Sequence, residues 1–107
     1  MTIKIALLKT GEYVISDVKE ASKSEEFVGY VFEKPQILGF EEKNNFLSEE
    51  KTEDDDSVSI ILSSWFPLSS DERFLIPPEN VVTMANPLQT VKDIYIEKVG
   101  YQEESNA

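Results

Sequence analysis

Residues 58–84 constrain the fold more than any other stretch, because apolar runs and prolines alternate there. One set of positions, Val58, Ile60 and Leu62, alternates with another, Ser59, Ile61 and Ser63, a period of two that is typical of a strand with one face in a core. Pro67 ends that strand or confines it to a sheet edge, since proline has no N–H to donate to a ladder. A second strand over 73–76 runs into Pro77-Pro78, and a short apolar run follows directly. This stretch predicts two strands, a sharp corner and a third short strand.

The N-terminal forty residues predict a further set of strands. Apolar alternation over 3–8 and 13–19, separated by a glycine-containing turn, favours a hairpin, and a polar loop follows. A third strand begins at Phe27 and continues past a kink at Pro35 to Phe40. Gly29 lies inside it, and an interior glycine often marks the bend that curls a sheet into a small barrel.

The C-terminal segment carries the start and stop signals of a helix. Asn86 is a good N-cap, Pro87 suits the first helical position and Gly100 suits the end. These signals predict a helix over 87–100, with an apolar face formed by Leu88, Val91, Ile94 and Tyr95. A last strand over 93–99 is the alternative, because its residues also favour sheets. Residues 101–107 are expected to form a tail.

Composition narrows the classes of function. The 107 residues suit one domain, and they include neither cysteine nor histidine. This excludes the usual zinc sites and Ser-His-Asp or Cys-His catalysis, so we expect a non-enzyme with no catalytic residue, metal or cofactor. The remaining enzyme hypothesis is a carboxylate site with a metal, for which the candidates are Asp71, Glu72 and Glu79.

Charge and hydropathy bear on partners and location. The net charge is -11, which disfavours phosphate binding, and much of it lies in a segment over 42–56 that we expect to be a mobile acidic loop. No apolar run approaches the ~20 residues of a membrane helix. The first ten residues do not resemble a signal peptide, so a cytoplasmic protein without a membrane partner is expected.

Two segments resemble the Sm motifs. Residues 76–82, with Pro77-Pro78 before Glu79-Asn80, resemble the second motif, and 8–18 resemble the first. The chain over 2–84 is similar to the Sm-like family of LSm and Hfq-like proteins, in particular to uncharacterised members from marine viruses and metagenomic sequences. The resemblance implies a mostly β fold: a small, strongly bent five-stranded Sm-like barrel over 1–86 with a C-terminal helix.

The resemblance also implies a homo-oligomeric ring, in which the fourth and fifth strands pair with neighbouring subunits. Ring closure would remove strand edges that are an aggregation hazard in a monomer. The alternative is internal pairing of both strands in a monomer or simple dimer. The residues expected at the oligomer interface are Ile61, Trp65, Phe66, Phe74 and Ile76.

The nucleotide pocket of the family is only partly matched. Pro77 and Pro78 occupy the positions of its Arg-Gly pair, and neither has a backbone N–H. Asn80 does match, although a turn role explains it as well, and Phe32 is the candidate for stacking on a base, although core packing is the alternative. We therefore expect a ring-forming scaffold or adaptor for a protein partner. The alternative is a divergent ring that binds RNA or other single-stranded nucleic acid.

Overall fold

A computed structural model describes residues 1–42 and 58–100 of the chain. Over these residues the chain forms six strands, a 3₁₀ turn and one α-helix. In chain order they are β1 (Ile3–Leu8), β2 (Tyr13–Lys23), β3 (Glu26–Glu42), β4 (Val58–Ser64), β5 (Arg73–Ile76), the 3₁₀ turn (Pro78–Asn80), β6 (Val81–Ala85) and α1 (Gln89–Val99).

The strands form one antiparallel sheet in the order β4-β3-β2-β1-β6, and β5 also pairs with β3. The predicted mostly β fold with a C-terminal helix is therefore confirmed. The sheet has six strands instead of the five that the resemblance implies, because the corner at Pro77 to Asn80 separates β5 from β6. It is open and does not form the expected closed barrel, since no ladder joins β6 to β4 or β5 in the part of the chain that the structure describes.

The predicted kink in the third strand is confirmed, and it divides β3 into two halves. Lys34 adopts a left-handed conformation (φ 52°) directly before Pro35, and the register with β2 shifts at this point. The Ser16 hydroxyl on β2 donates to the Glu33 carbonyl at 2.8 Å. From α1, the Tyr95 hydroxyl lies 2.8 Å from the Lys34 carbonyl and 3.1 Å from that of Glu33. These contacts satisfy carbonyls that the bulge removes from the ladder.

Two apolar clusters lie on opposite faces of the sheet, as strand alternation requires. On β2, Val14 belongs to one cluster and its neighbour Ile15 to the other. The cluster under α1 contains Ile3, Ile15, Leu38, Leu62, Val91 and Tyr95. The second contains Ala6, Leu8, Val14, Val18, Phe32 and Ile76.

The β2–β3 hairpin extends further than the sequence indicates. Residues 21–23 continue β2, and the turn consists of Ser24 and Glu25, which both have positive φ. Two consecutive residues with positive φ are typical of the two-residue hairpin turn that matches strand twist. The predicted polar loop over 21–26 is therefore wrong.

The C-terminal segment is a helix, so the alternative strand over 93–99 is wrong. Gly100 ends it in the left-handed conformation (φ 68°), as predicted. The helix begins at Gln89, two residues later than expected, and only Val91 and Tyr95 of the predicted apolar face are buried. The expected acidic loop and the tail lie outside the described residues, except for Glu42 at the end of β3.

Candidate oligomer interface

The two ends of the sheet are open edges. In the strand order, β4 and β6 are terminal, and each pairs with one neighbour among the described strands; β5, which lies off this path, also pairs with β3 alone. Each edge strand carries an exposed apolar side chain: Ile61 on β4 is 55% exposed and Val82 on β6 is 59% exposed. An edge of this kind presents unpaired backbone groups and favours pairing with another chain.

An aromatic cluster lies beside the end of β4. The Phe66 ring stacks on Phe74 at a centroid distance of 4.8 Å, and Trp65 meets Phe74 edge to face at 5.8 Å. Phe66 is 48% exposed, whereas Trp65 and Phe74 are half-buried. Half-buried aromatic side chains offer a large contact area at low entropic cost, and they are enriched at protein interfaces.

The five residues predicted for the interface fall into three environments. Ile61 and Phe66 are exposed, and Trp65 and Phe74 are half-buried. Ile76 is buried in the second cluster, and the little surface that it exposes lines a small pocket. The alternation of β5 explains this placement, because Ile76 and Phe74 point to the inner face and Leu75 points outward.

The two residues predicted to bind nucleic acid lie in different environments. Phe32 is fully buried, and its ring packs against Trp65 at a centroid distance of 6.2 Å. A base cannot stack on it in this conformation. Asn80 is exposed at the end of the 3₁₀ turn, where its carbonyl accepts a hydrogen bond from the Lys9 N–H at 2.9 Å. Its backbone thus links the corner to the turn after β1.

Sequence reasoning missed a charged network that joins β2, β3 and β5. Glu33 lies 2.7 Å from the Arg73 Nε and 3.6 Å from the Lys19 Nζ, which also contacts the Asp17 carboxylate at 3.1 Å. Asp17 is fully buried and accepts a hydrogen bond from the Thr2 N–H at 2.9 Å. The sequence holds one signal for it, since Asp17 and Lys19 are two residues apart on one face of a strand.

The described residues contain neither a cluster of metal-ligating side chains nor a membrane-spanning helix. No group of three or more metal-ligating side chains occurs in residues 1–42 and 58–100. Asp71, Glu72 and Glu79 are each exposed. No helix in the same residues is long and apolar enough to cross a membrane.

The fold and its surfaces define a small antiparallel β protein whose sheet is open at β4 and β6, with an aromatic cluster beside the end of β4. Residues 1–100 match the model of a family of unknown function, DUF6561, and the chain belongs to that family. No curated protein matches the chain.

Proposed function

We propose that this chain is the subunit of a Sm-like homo-oligomeric ring that acts as a scaffold or adaptor for a protein partner. The observation that carries the proposal is the pair of open edges at opposite ends of one sheet. Two different edges on one chain favour head-to-tail contacts, which generate a ring when the rotation between subunits closes.

The way in which β5 and β6 are connected supports a barrel-like subunit. β5 pairs with β3 and β6 pairs with β1, while a corner of four residues, Pro77 to Asn80, connects β5 to β6. The corner therefore holds β5 next to β6 in the chain, although no ladder joins these two strands in the described residues. The apolar residues of the second cluster come from β1, β2, β3 and β5, with Val81 and Met84 of β6 packed against them.

Charge supports a protein partner over nucleic acid. A net charge of -11 opposes phosphate binding. The corner has prolines in place of donors, and the candidate stacking ring of Phe32 is buried. The absence of histidine and cysteine from the sequence agrees with a binding role in place of catalysis.

Edge substitutions test the assembly. We expect Ile61→Lys and Val82→Lys each to lower the native mass, because each places a charge on an edge that the ring would bury. Native mass spectrometry gives the number of subunits, and circular dichroism checks that the fold is kept. The matched control is Val28→Lys, since Val28 is 41% exposed but lies near the hairpin tip.

Comparison of the two edge variants with the control distinguishes a specific edge contact from a general effect of added charge. A ring that Val28→Lys leaves intact and both edge variants dissociate supports the proposal. A wild-type monomer, or an oligomer that neither edge variant changes, contradicts it. RNA that copurifies with the ring would favour the nucleic-acid alternative.

A further inference from the structure

Leu68 is an apolar side chain with no packing partner. It lies in the connection between β4 and β5, four residues after the end of the β4 edge, and it is fully exposed. The connection is partly fixed, because the Ser69 N–H donates to the Phe66 carbonyl at 3.1 Å. Single exposed apolar side chains are common on protein surfaces, so a role for Leu68 in assembly requires a pocket that can receive it.

The same chain has an unfilled pocket of about 190 Å³ beside the start of β6. Leu8, Trp65 and Ile76 supply its apolar lining, and the polar residues that line it are Lys9, Thr10, Glu12 and Asn80. Trp65 is positioned by its indole N–H, which lies 3.4 Å from a Glu12 carboxylate oxygen.

The volume of this pocket indicates what it can hold. Small-molecule sites occupy roughly 300–1,000 Å³, so this pocket is small for a cofactor. A cavity of about 150 Å³ holds a benzene ring. The pocket is therefore of a size to take one apolar side chain.

We propose that Leu68 of one subunit inserts into this pocket of the next subunit in the ring. The inference rests on the proposed function, and it specifies the contact that fixes the direction of strand pairing. If β4 runs antiparallel to β6 of the next subunit, the residues after β4 lie beside those before β6, where the pocket is. Every ladder described in the chain is antiparallel, and antiparallel pairs are the commoner kind in proteins.

Cysteine crosslinking tests the contact between subunits. The natural chain has no cysteine, so two single-cysteine variants can be coexpressed without background reaction. Leu68→Cys, carrying a mass tag, is paired with Asn80→Cys at the pocket or with Asn86→Cys beyond the other end of β6. A short bismaleimide is added, and the tagged heterodimer is measured by mass spectrometry. We expect the Leu68–Asn80 heterodimer to predominate.

The crosslinking pattern and the native mass together distinguish failure of the Leu68 contact from failure of the ring. Crosslinking to Asn86 in preference to Asn80, or equally to both, would overturn the inference, because Leu68 would then not occupy the pocket. A multimeric native mass with no crosslink to Asn80 would overturn the inference alone. A monomeric native mass would overturn the ring itself.

A truncation gives an independent readout. Leu68→Ala should raise the concentration at which the ring dissociates by about 10- to 100-fold, because a buried leucine contributes substantially to association. The matched control is Leu75→Ala, since Leu75 is also exposed but points outward from β5. Equal effects of the two variants would contradict a specific role for Leu68.

Discussion

At the residue scale, Gly29 has no room for a side chain. Its φ is +154°, and a Cβ added to it would lie 2.6 Å from the Ile76 carbonyl oxygen. We expect Gly29→Ala to lower the free energy of unfolding by about 1–3 kcal/mol through backbone strain and this clash. Urea unfolding monitored by Trp65 fluorescence measures the change.

A second glycine of the same strand serves as the control. A Cβ on Gly39 would meet its nearest neighbour, the Ile61 carbonyl oxygen, at an ordinary 3.7 Å. Gly39→Ala should therefore be neutral or stabilise the protein by about 0.4–1 kcal/mol. Equal losses in both variants would show that close approach to Ile76 is not the cause.

The Tyr95 hydroxyl supports the kink of β3 from the helix. Its single O–H lies within hydrogen-bond distance of both the Lys34 and the Glu33 carbonyls and closer to that of Lys34, and Tyr95 is fully buried. Tyr95→Phe removes the donor with little change in shape, so we expect a loss of about 1–3 kcal/mol in the free energy of unfolding. Chemical denaturation at fixed protein concentration checks this value.

Tyr30 provides the comparison for that substitution. It is a half-buried tyrosine on the same bent strand, and it packs its ring edge to face on Phe27. Tyr30→Phe should change stability by less than about 0.5 kcal/mol. A Tyr95→Phe protein as stable as the wild type would contradict the role of the hydroxyl at the kink.

At the element scale, the features predicted correctly are those that depend on residues close together in the sequence. The strands followed from apolar alternation, the kink from Pro35, and the helix end from Gly100. The helix begins two residues after the predicted Pro87, a difference within the usual spread of helix boundaries. Leu88 lies at the N-cap and makes no side-chain cap hydrogen bond.

The sequence did not indicate which strands pair with each other over long range. Nothing in the pattern of β5 shows that it joins the first half of β3 while β4 joins the second half. The same limitation applies to the candidate site, because Phe32 and Ile76 face inward only when β3 and β5 pair in this register. The strand that carries Ile61 was predicted from local alternation, and its end before Pro67 from the missing N–H of proline.

At the scale of the whole molecule, the chain is strongly acidic and its described sheet is open at both terminal strands. An isolated subunit would expose both β4 and β6, with apolar side chains at Ile61 and Val82. Ring closure would cover both edges with one repeated contact. Strong net negative charge would keep such an assembly soluble and oppose binding to nucleic acid.

The native mass of the wild-type protein tests this account most directly. The protein is purified without added nucleic acid, and absorbance at 260 and 280 nm is recorded across the same size-exclusion peak with light scattering. The expected result is one species of several subunits that is stable on dilution and has the 260-to-280 nm absorbance ratio of protein alone. A monomer at all concentrations would contradict the pairing of β4 with β6, and a ring that carries nucleic acid would contradict the scaffold role.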